Sequence, residues 1–132
     1  MPPDSDLARL AIGEAINIHR ALGPGLFESA YEEILYRRLR KHGVAVERQL
    51  LVPFVYDGDA INFGFRVDLL LDRALVIELK CVERPSPIHQ RQLLTYLRLM
   101  DLPFGLLINF GLDTLLAGLD RVVNYSCSRQ SV

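Results

Sequence analysis

The sequence predicts one small α/β domain on a mixed sheet, and three observations carry that reading. Apolar residues recur at helical spacing near the start, and alternating apolar runs fill the stretch from about Val44 to Val82. A further helical segment then leads into an almost wholly apolar run at Phe104–Phe110. With 132 residues, 50% of them apolar, the chain can bury one core and has no room for a separate recognition domain.

Leu7, Leu10, Ala11, Ala15, Ile18 and His19 share a helical face, with Asp4 or Ser5 placed to cap it, and the helix stops at Leu22-Gly23-Pro24-Gly25. A second helical run takes Phe27, Tyr31, Ile34, Leu35 and Leu39 as its apolar stripe, carries basic residues in its last turns and ends at Gly43. The β region breaks at Asp57-Gly58-Asp59 and at Asp72-Arg73, which makes three antiparallel strands. Arg84-Pro85-Ser86-Pro87 ends the third of them. Ser86 caps a helix beginning at Pro87, where proline loses no needed hydrogen bond, and running to about Met100 with Leu93, Leu94, Leu97 and Met100 inward. Phe104–Phe110 reads as a strand covered on both faces, and Leu115–Tyr125 adds an edge strand. The domain is taken as residues 1–125, with 126–132 a loose polar tail.

Two runs carry charge where a sheet face should be apolar: Phe63-Gly64-Phe65-Arg66-Val67-Asp68 and Leu75-Val76-Ile77-Glu78-Leu79-Lys80. Alternation puts Phe63, Phe65, Val67, Leu69 and Leu71 on one side and Arg66 and Asp68 on the other. Burying both leucine sets on one core face fixes the parity of the hairpin register, since a one-residue slip turns a whole set outward. With a three-residue loop at Asp72-Arg73-Ala74, Asp68 and Glu78 then stand opposite each other, roughly 5 Å apart at Cβ. Two anions at that spacing repel unless a cation lies between them, so the pair reads as an oxygen-ligand site for Mg²⁺ or Mn²⁺.

Net charge is −1 with both signs interspersed, which excludes nucleic-acid binding by a basic tail; any such partner is held by a local patch. Two cysteines, Cys81 and Cys127, are too few for a disulfide framework and unlike a zinc site, so they read as reduced thiols. The acidic start Met-Pro-Pro-Asp-Ser-Asp is unlike a secretory signal, and no apolar run approaches membrane-spanning length. The expectation is a soluble cytoplasmic protein without a membrane partner, and the leucines between Leu112 and Leu119 leave a homodimer open.

Asp68 followed by Glu78-Leu79-Lys80 on the next strand resembles the PD-(D/E)XK nuclease superfamily, whose restriction-endonuclease-like αβββαβ core matches the element order; Val67 stands where the motif's proline would be. Gly25-Leu26-Phe27-Glu28-Ser29-Ala30-Tyr31 resembles the GxxExxY signature of a group of small bacterial proteins in that superfamily, as do His19–Gly25 and Gly105–Gly111 around it. The resemblance spans about Ile12 to Asn124.

It implies that Asp68, Glu78 and the Leu79 backbone carbonyl ligate the metal, with Glu28 reaching a metal-bound water or a second ion from its helix. Lys80 would hold the attacking water or offset charge on the scissile phosphate, unless it simply neutralises Glu78. Gln92 and Tyr96, four apart on one helical face, resemble a QxxxY element: Gln92 to orient the water or Glu78, Tyr96 to touch the substrate backbone or merely to pack. Arg84 and Arg91, with Arg98, recur every seven residues and face phosphates or only keep the helix solvated. His19 and Tyr31 are assigned to the core rather than to catalysis. The implied function is a metal-dependent nuclease acting on DNA; the alternative is a non-catalytic module that keeps the fold to bind nucleic acid or protein.

Overall fold

A computed structural model describes residues 5–128 apart from the side chain of Phe63; the capping candidate Asp4 and tail positions 129–132 lie outside the described residues. Helix α1 (Asp6–Leu22) opens on Ser5, whose hydroxyl accepts from the Ala8 amide at 3.2 Å. Helix α2 (Glu28–Lys41) runs out at Gly43, held at φ 81°. Then come β1 (Val46–Tyr56), β2 (Asp59–Leu71), β3 (Leu75–Lys80), α3 (Pro87–Met100), β4 (Phe104–Asn109) and β5 (Leu119–Val123). The strands lie in the order β1-β2-β3-β4-β5, antiparallel except for the parallel β3–β4 pair that α3 connects. The expected α/β class with a mixed sheet is what the chain adopts.

Helices α1 and α2 cover one face, where Ala11, Ala15, Ile18, Tyr31, Leu35 and Leu39 pack against Leu69, Leu71, Ile77, Leu79, Leu106 and Ile108. Helix α3 covers the other, setting Leu93 and Leu97 on Val67, Leu70, Val76 and Leu107. Strand β4 is therefore buried at every position, as its unbroken apolar run requires.

The alternation expected along β2 breaks. Leu69 and Leu71 pack toward α1 and α2, but Val67 and Phe65 pack with the α3 cluster. The partner strand switches too: Val46, opposite Leu71, joins the first cluster, whereas Leu50, opposite Val67, joins the second. Between them stands Gln49, a non-glycine residue at φ 47°, so the switch of face coincides with a left-handed position in β1.

Phe27, expected in the α2 stripe, is 85% exposed, because it precedes the helix in extended conformation and never turns with the stripe. Tyr31, in contrast, is wholly buried, stacked on Phe110 at 4.3 Å between ring centroids. Its hydroxyl donates to the Gly23 carbonyl and accepts from the Leu26 amide at 3.1 Å, tying the α1–α2 turn to the helix that carries Glu28. His19 is a core residue, its Nε2 2.8 Å from the Leu112 carbonyl. Tyr31→Phe is expected to lower stability by about 1–3 kcal/mol in urea unfolding, the range for stranding buried hydrogen-bond partners; an unchanged midpoint would show that the turn holds without the hydroxyl.

The expected edge strand starts only at Leu119, because Leu116–Gly118 forms a short 3₁₀ turn whose Ala117 amide is met by Thr114 Oγ1. In the stretch considered for a dimer, Leu115 is buried and Leu116 is exposed. The tail is not loose where it is described: Cys127 is buried, and the Ser128 amide donates to Asp101 Oδ1 at 3.1 Å. Among the described residues no helix is long and apolar enough to cross a membrane.

Candidate metal centre

The β2–β3 hairpin closes through the three residues Asp72–Ala74 and pairs Leu71 with Leu75, Leu70 with Val76 and Leu69 with Ile77. One step further the same register brings Asp68 opposite Glu78, and there the strands part. The Asp68 amide donates to Glu78 Oε1 at 3.1 Å, and the Leu79 amide donates to Asp68 Oδ2 at 2.8 Å. Side-chain oxygens thus take the place of ladder carbonyls. The two acids meet at the fork through these backbone amides.

Glu78 is only 8% exposed, and burial, followed by the negative charge of Asp68, pushes its carboxyl up to about 8; the Asp68 amide and the Lys80 ammonium oppose this in part. Glu28, at the first turn of α2, lies on the surface, yet partial desolvation and then the charge of Asp68 raise its carboxyl above the ordinary value. Lys80, paired with Asn109 across the ladder, is near enough to lower Glu28 and Glu78 and to join burial in lowering His89. Around the pair the field is therefore anionic, with one ammonium beside it.

A family model described as the PD-(D/E)XK nuclease superfamily matches residues 5–122. The chain belongs to the PD-(D/E)XK nuclease superfamily. No curated protein matches it. A solved structure titled "Crystal structure of SSO0001" is similar at 21% identity and a TM-score of 0.48, over 87% of this chain and 61% of that one, so the chain spans less than two thirds of that structure's length.

The superfamily's divalent metal can be tested against the residues present. Asp68 and Glu78 offer only oxygen donors, which suits a hard dication, and burial followed by the charge of Asp68 raises the Glu78 carboxyl to about 8. The donor set fits. Among the described residues, however, no group of three His, Cys, Asp or Glu side chains converges, so Glu28 stands within electrostatic reach rather than in the direct set. The Leu79 amide is engaged by Asp68, and its carbonyl lies in the peptide that joins Leu79 to Lys80.

The other residues singled out from the sequence are less gathered. Tyr96 is half-buried, stacked on Phe65 at 4.4 Å, and its hydroxyl is raised by burial and then by Glu78 and Asp68, which puts it within reach of the pair. Gln92 is exposed and makes no side-chain hydrogen bond among the described residues. Arg84 and Arg91 are exposed too, and neither forms an ion pair among the described residues.

Two residues near this PD-(D/E)XK pair were not legible beforehand. Gln49 donates to Asp68 Oδ1 at 3.1 Å and to Glu32 Oε1 at 2.6 Å. His89 lies beside Lys80 on a cleft of about 210 Å³, lined also by Gln90, Leu107, Asn109 and Asp120. Neither residue carries a motif, and both reach the site only through strand pairing and the α3 crossover.

Proposed function

We propose that this chain is a divalent-metal-dependent phosphodiesterase that cuts DNA, a member of the GxxExxY group of bacterial proteins working in a reducing, cytoplasmic compartment. The observation that carries the reading is the meeting of Asp68 and Glu78 at the strand fork, with an acid raised to about 8 and an ammonium beside it. Cys81 and Cys127 form no disulfide, which agrees with that compartment.

In this reading Asp68, Glu78 and the Leu79 carbonyl hold Mg²⁺ or Mn²⁺, and Glu28 reaches it through water or a second ion. When bound, the cation supplies polarisation of a phosphate oxygen and a lowered pKa for its water. The chain's own groups do the rest. Lys80, which forms no ion pair among the described residues, can place the attacking water and offset charge growing on the phosphate. Tyr96, whose hydroxyl is held above its ordinary value, remains protonated at neutral pH and can donate to the substrate backbone. Gln92 orients the water or Glu78, and Arg84 and Arg91 follow the phosphates, which makes binding salt-dependent.

The test is cleavage of single- and double-stranded DNA and RNA by the purified chain, with and without Mg²⁺ or Mn²⁺. DNA cut only with the dication is the expected result. If no nucleic acid is cut and Mn²⁺ calorimetry gives the same isotherm for wild type and Glu78→Ala, the reading fails. The near-neutral charge would then favour a binding module that keeps the fold without turnover.

A further inference from the structure

We infer that Gln49 is a positioning residue for the candidate metal centre, holding Asp68 in the orientation a cation needs and locking that carboxylate to the helix that carries Glu28. The inference rests on the metal reading above and goes beyond it to a residue outside the superfamily motif.

Three observations converge on it. Gln49 has φ 47°, a region a non-glycine residue adopts only at a cost of order 1–3 kcal/mol, and such strain persists where the surroundings enforce it. It falls between the ladder pairs Arg48–Leu69 and Leu50–Val67, where continuation of the register would set it against Asp68. And its side-chain amide is shared, reaching Asp68 Oδ1 at 3.1 Å and Glu32 Oε1 at 2.6 Å.

The chemistry of an amide suits this position. Asp68 uses Oδ2 for the Leu79 amide and Oδ1 for Gln49, and each carboxylate oxygen keeps a second lone pair, so both contacts fix the group without exhausting it. A lysine or arginine here would hold Asp68 equally firmly but cancel the charge that attracts a cation. The cationic partner goes instead to Glu32, which is 6% exposed and met by Arg48 Nη2 at 3.1 Å. Gln49 thus joins an acid on α2 that is ion-paired with Arg48 to one on β2 that forms no ion pair among the described residues. Glu28 lies one helical turn before Glu32, so this bridge also sets how the α2 carboxylate faces the sheet pair.

Gln49→Gly separates positioning from simple stability, because glycine adopts the left-handed conformation freely while removing both contacts. Gln49→Asn is the second variant: asparagine tolerates the same backbone, but its shorter amide does not span both acids. Two measurements are made on the whole chain: Mn²⁺ affinity by calorimetry, with thermal melting alongside, and hydrogen exchange of the Leu79 amide without metal. Both variants are expected to melt cooperatively, to bind Mn²⁺ about 10- to 100-fold more weakly and to exchange Leu79 faster. If either folded variant binds Mn²⁺ as tightly as the wild type, the inference is overturned. If the wild type itself takes up no Mn²⁺, the metal reading falls separately and Leu79 exchange decides the role of Gln49: faster exchange supports it and unchanged exchange overturns it.

Discussion

Asp68→Asn is expected to reduce DNA cleavage roughly 10³-fold or more while leaving the fold intact. Asparagine matches aspartate in size, and its carbonyl can still accept from the Leu79 amide, which the carboxylate meets at 2.8 Å. What goes is one negative charge from the pair. A metal that stabilises transition-state charge by several kcal/mol loses most of that contribution when a ligand charge is deleted, and about 4 kcal/mol corresponds to 10³ in rate. A second consequence follows at Glu78, where the charge of Asp68 is, after burial, the largest cause of the rise, so its carboxyl should move back toward the ordinary range. A third arises at Gln49, whose amide would face another amide and must turn away from the site or from Glu32. Cleavage rates at saturating Mn²⁺, Mn²⁺ affinity and a circular-dichroism melt check these together. A folded variant that cuts at the wild-type rate would remove the pair from the chemistry.

The contact between Asp68 and Glu78 was legible because only local quantities determine it: the three-residue turn, the side-chain period of two and the leucines that bury one face. The same rule failed a few residues earlier in β2. Phe65 and Val67 are apolar, and with helices on both faces of the sheet an apolar side chain is welcome on either; the switch of face coincides with the left-handed Gln49, whose conformation nothing in its residue type announces. The GxxExxY stretch was readable as a pattern but not as a division of labour. In three dimensions Tyr31 anchors the turn to the core, Phe27 stays in solvent and Glu28 begins the helix facing the acids. Membership of the superfamily was legible from the Asp68 and Glu78-Leu79-Lys80 spacing and is matched over residues 5–122, whereas the neighbourhood of Lys80 and His89 depends on where a crossover helix lands, which spacing along the chain does not encode.

Glu78 gives the metal-free protein a pH dependence opposite to that of most paired carboxylates. Its folded-state acid titrates at about 8 against 4.5 in the unfolded chain, so between those values the folded protein keeps a proton that the unfolded one has released. Stability therefore falls as pH rises through this window, and at pH 7 the cost is roughly 3 kcal/mol. Glu78→Gln is expected to remove that slope: glutamine has the shape of the protonated acid, and its carbonyl can still accept from the Asp68 amide. The variant should melt on the order of 10 °C above the wild type at pH 8, with the gap closing near pH 4.5. Addition of Mn²⁺ at pH 8 should raise the wild type toward the variant and leave the variant unmoved, because a bound cation offsets the same repulsion that the substitution abolishes. Stabilisation bought this way would come with loss of cleavage, which is the signature of an acid kept for chemistry at the expense of the fold. Equal melting temperatures at pH 8 would mean that Glu78 ionises without strain, and that the fork imposes no demand for a cation.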